Sequence, residues 1–406
     1  MIFLFALTLF AVVICEILLQ FLIRFFRKDF QWLITEKDDY PIFDQVAFDK
    51  FILNSFDKEL GWVKKPNSIG TEKGKNGKII FHIDDKGSRE NFVDFKTSIV
   101  TFGDSYTFCK QVEDNQTWQA CLSKNLDDKV LNYGVGNYGI DQAFLYYKRQ
   151  KLPETTKIVI LGFVPETICR IQSYWKHYLE FGNIFAFKPR FSLDNGQLKL
   201  HDNLINCADD FNKLHKIIDK VKINDGFYTK KFRQKQFRFP YLLRYFFNFK
   251  STSLLLYFLI KKKLFNLIGF ERAEINNAPF SKIMFENISD SHKMYRDDKA
   301  CELLEAILMK FCNLANKRGH KPLLLIMPQL MDLKINKKQK TTPYAAFFSK
   351  INKITPVLDM TPHLNGKNLN SFYTDDLYGG HFSEIGNELV AEKVLEFIKS
   401  DYFNKL

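Results

Sequence analysis

A serine near one end of the chain and a histidine near the other are the residues best suited to nucleophilic chemistry. Ser105 follows an apolar, β-branched run at 98–102, which predicts a buried strand. It therefore lies just past the carboxyl end of a strand, where open α/β sheets bind ligands. His381 lies on a loop before the segment Glu384–Lys399, which has the pattern of an amphipathic helix. A serine hydroxyl becomes a nucleophile when a neighbouring base accepts its proton, and imidazole suits that task near neutral pH.

Two aspartates precede the histidine and could orient it. A carboxylate that accepts the second imidazole N–H fixes the tautomer and stabilises the imidazolium that forms during reaction. We expect Asp376 in this role, with Asp375 as the alternative, because they are the nearest acids before His381. A Ser-His dyad that uses a backbone carbonyl is the remaining alternative.

Three sequence blocks give the chain a resemblance to a known family. They are Gly103-Asp104-Ser105, the segment 130–142 (VLNYGVGNYGIDQ) and the block 375–387 that contains His381. In this order and at these separations they resemble the SGNH (GDSL-type) hydrolases, in particular the membrane-anchored bacterial type. The resemblance implies a three-layer α/β/α, flavodoxin-like fold with a parallel sheet. It also implies a Ser-His-Asp serine hydrolase that acts on ester bonds, as an esterase or an O-acyltransferase.

The same resemblance implies an oxyanion hole that departs from the family pattern. The backbone N–H of Ser105 is the first donor, and the second block aligns Asn137, after Gly136, with the family's glycine donor. The third donor is normally an asparagine side chain, but the aligned segment 162–167 has Glu166 in the corresponding place. A carboxylate there would repel an oxyanion unless it is protonated or turned away. Glu166 at this position could indicate a modified oxyanion hole, a transferase, or a site that has lost its catalytic activity.

Several other residues near these blocks have two interpretations each. Asn132 and Asn137 could donate side-chain amides to the oxyanion or serve turn conformation. Tyr106 and Tyr138 could form a sugar platform or pack in the core. His177 could line the substrate cleft or lie on a helix surface.

The intervening chain alternates strand and helix patterns, which favours a parallel sheet covered by helices on both faces. Strands are predicted at 98–102, 129–132, 157–163, 322–327 and 355–358, and helices near 118–126, 141–150, 299–318 and 384–399.

The N-terminal residues 1–27 predict a transmembrane anchor. Residues 2–23 are apolar apart from Thr8, Glu16 and Gln20, about the length that crosses a bilayer. The basic residues at 24, 27 and 28 favour a cytoplasmic body by the positive-inside tendency. Anchored relatives of this hydrolase type commonly face outward. We therefore expect a single-pass protein of the cell membrane whose catalytic domain is extracytoplasmic.

The rest of the chain divides into a connector with a small β lead-in at 28–96 and an SGNH hydrolase-like domain at 97–400. A long insertion at about 168–298 interrupts that domain and should carry its own structure. Its segment 230–263 mixes Lys and Arg with aromatic and aliphatic residues. An interfacial helix or a lid over the site is one interpretation. Helices packed on the main core are the other.

The charge and cysteine content of the chain limit the classes of partner that it is expected to bind. The formal charge is +13, but 46 acidic residues are interspersed among 59 basic ones, and no nucleic-acid motif is present. The seven cysteines form no C-x-x-C pair, so neither a disulfide scaffold nor a metal site is expected, and no cofactor is implied. The expected partners are the membrane lipid bilayer and an acylated glycan or other ester substrate, without nucleic acid. The alternatives are a catalytically weak or inactive SGNH-fold glycan-binding protein and a membrane-surface lipid hydrolase.

Overall fold

The computed structural model describes residues 1–26, 33–270, 273–365, 368–375 and 379–400. Its strands are β1 Phe56–Asp57, β2 Gly61–Trp62, β3 Ser68–Gly74, β4 Gly77–Ile83, β5 Ile99–Gly103, β6 Val130–Gly134, β7 Ile158–Phe163, β8 Arg190–Asp194, β9 Gln197–His201, β10 Lys321–Ile326, β11 Val357–Asp359, β12 Tyr373–Asp375 and β13 Gly379–Phe382.

Its helices are α1 Ile2–Phe26, α2 Gln45–Asn54, α3 Trp118–Leu126, α4 Ile140–Arg149, α5 Thr167–Arg170, α6 Lys176–Glu180, α7 Ala208–Phe211, α8 Ile218–Asn224, α9 Arg233–Lys235, α10 Tyr241–Phe247, α11 Phe249–Leu267, α12 Ala273–Met294, α13 Asp298–Lys317, α14 Leu330–Gln339, α15 Ala345–Ile351, α16 Thr361–Leu364, α17 Leu369–Phe372 and α18 Glu384–Lys399.

A parallel five-stranded sheet forms the centre of the body. Its order is β11-β10-β7-β5-β6, and all four pairings are parallel. When these five strands are numbered 1 to 5 in chain order and read from the β6 edge, the order is 2-1-3-4-5. This is the order of flavodoxin-like folds. The predicted fold class is confirmed. The order also places the topological switch point between β5 and β7, directly where Ser105 follows β5.

Alternating side chains of the strands build one apolar core on each face of the sheet. In β7, Val159 and Leu161 belong to one core and Ile160 to the other, and all three are buried. Helices α4 and α13 cover the first face, whereas α3 and α18 cover the second. Because both faces are covered, the strands are continuously apolar, as expected for a parallel sheet.

The predicted bounds of these elements agree closely with the structure. Helices α3 and α18 have the predicted ends. Strand β11 begins two residues later than predicted, because Val357 is the first of its residues that pairs with β10. The shift shows that strand ends are set by the neighbouring ladder and not by local pattern alone.

The lead-in packs against the loop that follows β5. Strands β3 and β4 form an antiparallel hairpin. In β4, the backbone N–H of His82 donates to Asp114 at 3.1 Å, and its ring Nδ1 lies 2.8 Å from the same carboxylate. The hairpin therefore supports the active-site edge of the sheet.

Helix α1 contacts α10 and has almost all of its side chains exposed. It is the one helix, within the residues that the structure describes, that is long and apolar enough to cross a membrane.

The segment between β7 and α13 has two parts. The first, from α5 to α9, packs on the body and buries Trp175, Tyr178, Ile218 and Phe232. The second, α10 and α11, leaves much of its apolar surface exposed. For the stretch 230–263, the interpretation as an interfacial helix or a lid stays a prediction.

Candidate active site

Close approach of backbone fixes the turn that presents Ser105. Gly103, the last residue of β5, pairs with Gly162 of β7. A Cβ on Gly103 would lie 1.9 Å from the Gly162 carbonyl oxygen and 2.2 Å from Thr107 Oγ1. Thr107 in turn donates to the Gly162 carbonyl at 2.9 Å. Only glycine allows the strand to end this close to its neighbour.

Asp104 ties the same turn to β7 and to a buried arginine. Its carboxylate accepts the backbone N–H groups of Tyr106 at 2.8 Å and Val164 at 3.0 Å. Arg170 Nη1 lies 3.4 Å from Asp104 Oδ2. Asp104 thus holds the turn in place, and Ser105 projects from it with little solvent exposure.

Ser105 and His381, which are far apart in sequence, meet at this edge. Ser105 Oγ lies 2.8 Å from His381 Nε2. The imidazole is half-buried, and its ring centroid lies 5.0 Å from that of Tyr106. This distance is within the hydrogen-bond reach that a general base needs. The serine and the histidine predicted from the sequence are therefore brought together.

The other imidazole nitrogen faces a glutamine. His381 Nδ1 lies 2.7 Å from Gln111 Oε1. Gln111 Nε2 donates to the Lys73 carbonyl at 2.9 Å, which leaves Oε1 as the acceptor for the imidazole. The network therefore assigns the proton to Nδ1 and leaves Nε2 to accept from Ser105, the tautomer that a base requires.

The assignment of an aspartate to Nδ1 stays a prediction. Asp376 lies outside the described residues, so its role stays a prediction. Asp375 lies in β12, opposite Gly379 of β13. Its neighbour Thr374 contacts the site instead: the Thr374 hydroxyl lies 3.0 Å from Gln111 Oε1 and accepts the His381 backbone N–H at 3.0 Å.

The loop that carries Gln111 is held by a buried guanidinium. Arg89 donates from Nη1 to the carbonyls of Phe108 and Cys109, each at 2.8 Å, and from Nε to Asp114 at 2.7 Å. Gln111 has a φ of +80°, a conformation that L-residues rarely adopt. Arg89 thus contributes to holding the loop in a conformation that brings the amide to His381.

Two glycines shape the loop before His381. Gly379 and Gly380 both have positive φ, at +98° and +59°. A Cβ on Gly380 would lie 2.4 Å from Thr374 Oγ1 and 2.8 Å from Gln111 Oε1. The second glycine is thus required both by its conformation and by the space that the Gln111 amide occupies.

Burial sets the protonation of His381. Removal from water, with smaller contributions from Lys110 and Arg170, holds the pKa of His381 well below its ordinary value. The imidazole is therefore neutral, and able to accept a proton, across the physiological pH range.

The predicted oxyanion donors lie on adjacent turns. Gly103 pairs with both Gly134 and Gly162, so the segments after β5 and β6 leave the same edge of the sheet. In the described part of the chain, no group accepts the backbone N–H of Ser105, Gly136 or Asn137. Two side chains hold the carbonyls of the turn after β6. Trp62 Nε1 donates to the Gly136 carbonyl at 2.9 Å, and Lys176 Nζ donates to the Asn137 carbonyl at 3.1 Å.

Glu166 is buried and paired with an arginine. Arg170 Nη2 lies 2.9 Å from Glu166 Oε2, and Arg170 Nη1 donates to the Tyr138 carbonyl at 3.1 Å. The other oxygen, Oε1, has no hydrogen-bond partner among the described residues. The negative charge of Glu166 is therefore balanced by Arg170, which also contacts Asp104.

The remaining sequence candidates have structural roles. Tyr106 and Tyr138 are buried in the core and do not form an exposed platform. His177 is buried, with Nε2 3.0 Å from the Asp38 carbonyl and Nδ1 accepting the Gly182 N–H. Asn132 Oδ1 accepts the Gly134 N–H at 2.9 Å and thus serves the turn after β6.

Sequence reasoning missed Gln111, Arg89, Arg170 and Lys176. The one available signal was that the nearest acids, Asp376 and Asp375, stand five and six residues before His381. Over the described ranges, no cluster of three or more His, Cys, Asp or Glu residues is suited to a metal ion.

Comparisons with known proteins give distant structural matches. A lipolytic protein of the G-D-S-L family from Desulfitobacterium hafniense matches with 12% identity and a TM-score of 0.33, over 74% of this chain and 99% of that one. A catalytic mutant of Axe2, an acetylxylan esterase from Geobacillus stearothermophilus, matches with 9% identity and a TM-score of 0.35, over 76% and 97%. A Lactobacillus plantarum protein matches with 10% identity and a TM-score of 0.36, over 76% and 99%.

No family model and no curated protein matches the chain. At these TM-scores, the chemistry is inferred from the geometry of the site itself.

Proposed function

We propose that this chain is a serine esterase or O-acyltransferase that acts on ester-linked acyl groups. The observation that carries the proposal is the 2.8 Å distance between Ser105 Oγ and His381 Nε2. It is supported by the orientation of the imidazole through Gln111 and by the unoccupied amides on the adjacent turns.

The proposed reaction has two acyl-transfer steps. His381 Nε2 accepts the Ser105 proton as Oγ attacks the ester carbonyl carbon, and the amides of Ser105 and Asn137 stabilise the oxyanion that forms. The tetrahedral intermediate then expels the alcohol, which takes the proton from His381, and the acyl group stays on Ser105. Water or an acceptor hydroxyl then gives its proton to the same imidazole and attacks the acyl-serine. Ser105 Oγ takes that proton back from His381 as its bond to the acyl group breaks, and the acyl group is released as an acid or a new ester.

We further propose that the substrate is an O-acylated glycan of the cell envelope, and that α1 anchors the protein in the cell membrane as a single span with the catalytic domain outside the cytoplasm. The length and apolar composition of α1 support the anchor. The glycan and the outward orientation are supported by the resemblance to anchored SGNH proteins. The Ser-His-Asp assignment with Asp376 belongs to the same proposal.

A second Ser-His pair in the chain provides a matched control for the test. In the β8–β9 hairpin, Ser192 Oγ also lies 2.8 Å from a histidine Nε2, that of His201. Hydrolysis of p-nitrophenyl acetate by the full-length protein in detergent should be lost in Ser105→Ala and His381→Ala but unchanged in Ser192→Ala. Equal activity of Ser105→Ala and the wild-type protein would refute the proposal.

A binding protein without turnover is the second candidate. The neutral amide of Gln111 at Nδ1 favours it, because an amide stabilises the imidazolium that forms during reaction less than a carboxylate would. The test compares binding and turnover of an acetylated glycan. If His381→Ala binds the glycan as well as the wild-type protein does, and the wild-type protein does not turn it over, the chain is a binding protein.

A further inference from the structure

Residues 33–35 contact the segment that precedes helix α10. The carbonyl of Ile34 accepts the Phe237 N–H at 3.1 Å, and Thr35 and Phe237 form a parallel β-bridge. Leu33, Phe237 and Leu259 of α11 form a small buried apolar cluster. The chain at 33–35 therefore lies beside the chain that enters α10.

Glu16, within the apolar helix α1, joins the two helices directly. Its carboxylate accepts the backbone N–H of Tyr241 at 2.6 Å and of Leu242 at 2.8 Å. These amides belong to the first turn of α10, where helix N–H groups have no partner within the helix. A carboxylate among apolar residues is costly in lipid unless it is satisfied. Glu16 stands ten residues before Phe26, so α10 begins about 15 Å along α1 from its C-terminal end.

The surfaces of α10 and of the end of α11 are apolar and exposed. The side chains that show this most clearly are Leu243, Phe246, Phe247, Leu264, Leu267 and Ile268. Exposed large apolar side chains concentrated on two successive helices are unusual on a soluble monomer and mark an interaction site.

A groove separates α11 from α1. Its volume is about 440 Å³, and apart from Tyr245 and Lys263 its lining is aliphatic or aromatic without polar groups. Leu19, Leu22 and Ile23 contribute from α1, and α11 contributes from the other side. Because one wall is the candidate membrane span, the medium that contacts α1 also reaches the groove.

The same helices and the residues just before them are rich in basic residues. They are Arg238, Arg244, Lys250, Lys261 and Lys262. Cationic side chains beside apolar helices favour contact with anionic lipid headgroups. Their charge, and the continuity with α1, favour a lipid bilayer over a second copy of the chain as the partner.

We propose that α10 and the C-terminal end of α11 enter the bilayer beside α1, so that lipid acyl chains fill the groove and two elements hold the protein to the membrane. This inference rests on the proposed membrane insertion of α1. Helix α12 returns from the embedded end to pack on α5 and α6, and Tyr295, just after α12, donates to the Pro165 carbonyl at 2.7 Å. The second attachment therefore fixes how the Ser105 edge of the sheet is oriented toward the membrane surface.

The test uses tryptophan fluorescence of the full-length protein in vesicles of phosphatidylcholine and phosphatidylglycerol. Phe246→Trp reports on α10, and Leu267→Trp reports independently on α11. Phe92→Trp is the matched control, because Phe92 is 70% exposed and Phe246 69%, but Phe92 belongs to the lead-in of the body. After subtraction of wild-type emission, phosphatidylcholine brominated on its acyl chains should quench most of the added emission of Phe246→Trp and Leu267→Trp and little of that of Phe92→Trp.

The outcomes separate this inference from the anchor on which it rests. Failure of the wild-type protein to float with vesicles would overturn both. If the protein floats but quenching is equally weak in all three variants, the insertion of α10 and α11 is overturned and the proposed membrane anchor α1 is kept. Weak quenching together with a dimer in cross-linking experiments would assign the surface to a second copy. Glu16→Ala should float like the wild-type protein and reduce quenching in the Phe246→Trp background, because α10 loses its attachment to α1.

Discussion

Gln111 places its amide oxygen 2.7 Å from Nδ1 of His381, the position at which serine hydrolases ordinarily place a carboxylate. The amide is held in the accepting orientation by its own bond to the Lys73 carbonyl. A neutral acceptor maintains the required tautomer but stabilises the imidazolium less than a carboxylate would. Among the described residues, the partner of Nδ1 thus orients the imidazole without adding a negative charge beside it.

The pH dependence of activity tests this relationship. Because burial lowers the pKa of His381, the neutral base persists as the pH falls, and the acid limb of kcat/KM should lie well below the ordinary histidine value of about 6.5. Gln111→Glu places a negative charge beside Nδ1, which raises the pKa, so its acid limb should move to higher pH. A wild-type limb at or above the ordinary value, unchanged in Gln111→Glu, would contradict the proposed role of Gln111.

Gly380→Ala tests the loop before His381. The added Cβ would meet Thr374 Oγ1 and Gln111 Oε1, so we expect kcat/KM to fall about 100-fold through misplacement of the imidazole. Gly196→Ala is the control. Gly196 also has positive φ, +78°, but a Cβ there meets no atom within 4 Å. Both variants should lose about 1–2 kcal/mol of unfolding free energy from backbone strain, with additional loss in Gly380→Ala, but only Gly380→Ala should lose activity. Equal activity in the two variants would count against the described loop geometry.

Arg89→Met tests the buried support of the Gln111 loop. It leaves Asp114 and several carbonyls buried without their cation, so we expect a loss of about 3–5 kcal/mol in the free energy of unfolding, measured by urea titration. Arg149→Met removes a more exposed ion pair, Arg149 to Asp57, and should cost no more than about 1 kcal/mol. A cost for Arg89→Met as small as that for Arg149→Met would show that the guanidinium does not stabilise the loop.

Cys207 allows the orientation in the membrane to be measured. Its thiol is exposed on the body, at the start of α7. If the catalytic domain is extracytoplasmic, a membrane-impermeant maleimide should label the protein in intact cells, and Cys207→Ser should lose that labelling. Labelling that requires cell lysis would place the domain in the cytoplasm.

The sequence predicted the parts of the site that depend on local pattern. Ser105 follows a β-branched strand and His381 precedes an amphipathic helix, so each could be placed at an element end without knowledge of its neighbours. The parallel sheet followed from strands alternating with helices. Its order, with β5 between β6 and β7, depends on long-range pairing, so it followed from the resemblance to a flavodoxin-like fold and not from the local pattern.

Gln111 could not be predicted for a physical reason. Its approach to His381 depends on a positive φ, on a guanidinium from the lead-in and on the Lys73 carbonyl of β3. None of these leaves a sequence motif, because backbone carbonyls are present at every residue. Glu166 and Arg170 are four residues apart, so the sequence allowed them to pair. The sequence did not predict that both side chains would be buried, which is why the pair is needed to balance the charge of Glu166.

The proposed nucleophile is tested most directly by mass spectrometry of the full-length protein after reaction with a fluorophosphonate. The geometry predicts a single adduct on the peptide that contains Ser105, strongly slowed in His381→Ala and unaffected in Ser192→Ala. A folded wild-type protein that hydrolyses esters and carries the adduct elsewhere, or carries none, would contradict the assignment of Ser105.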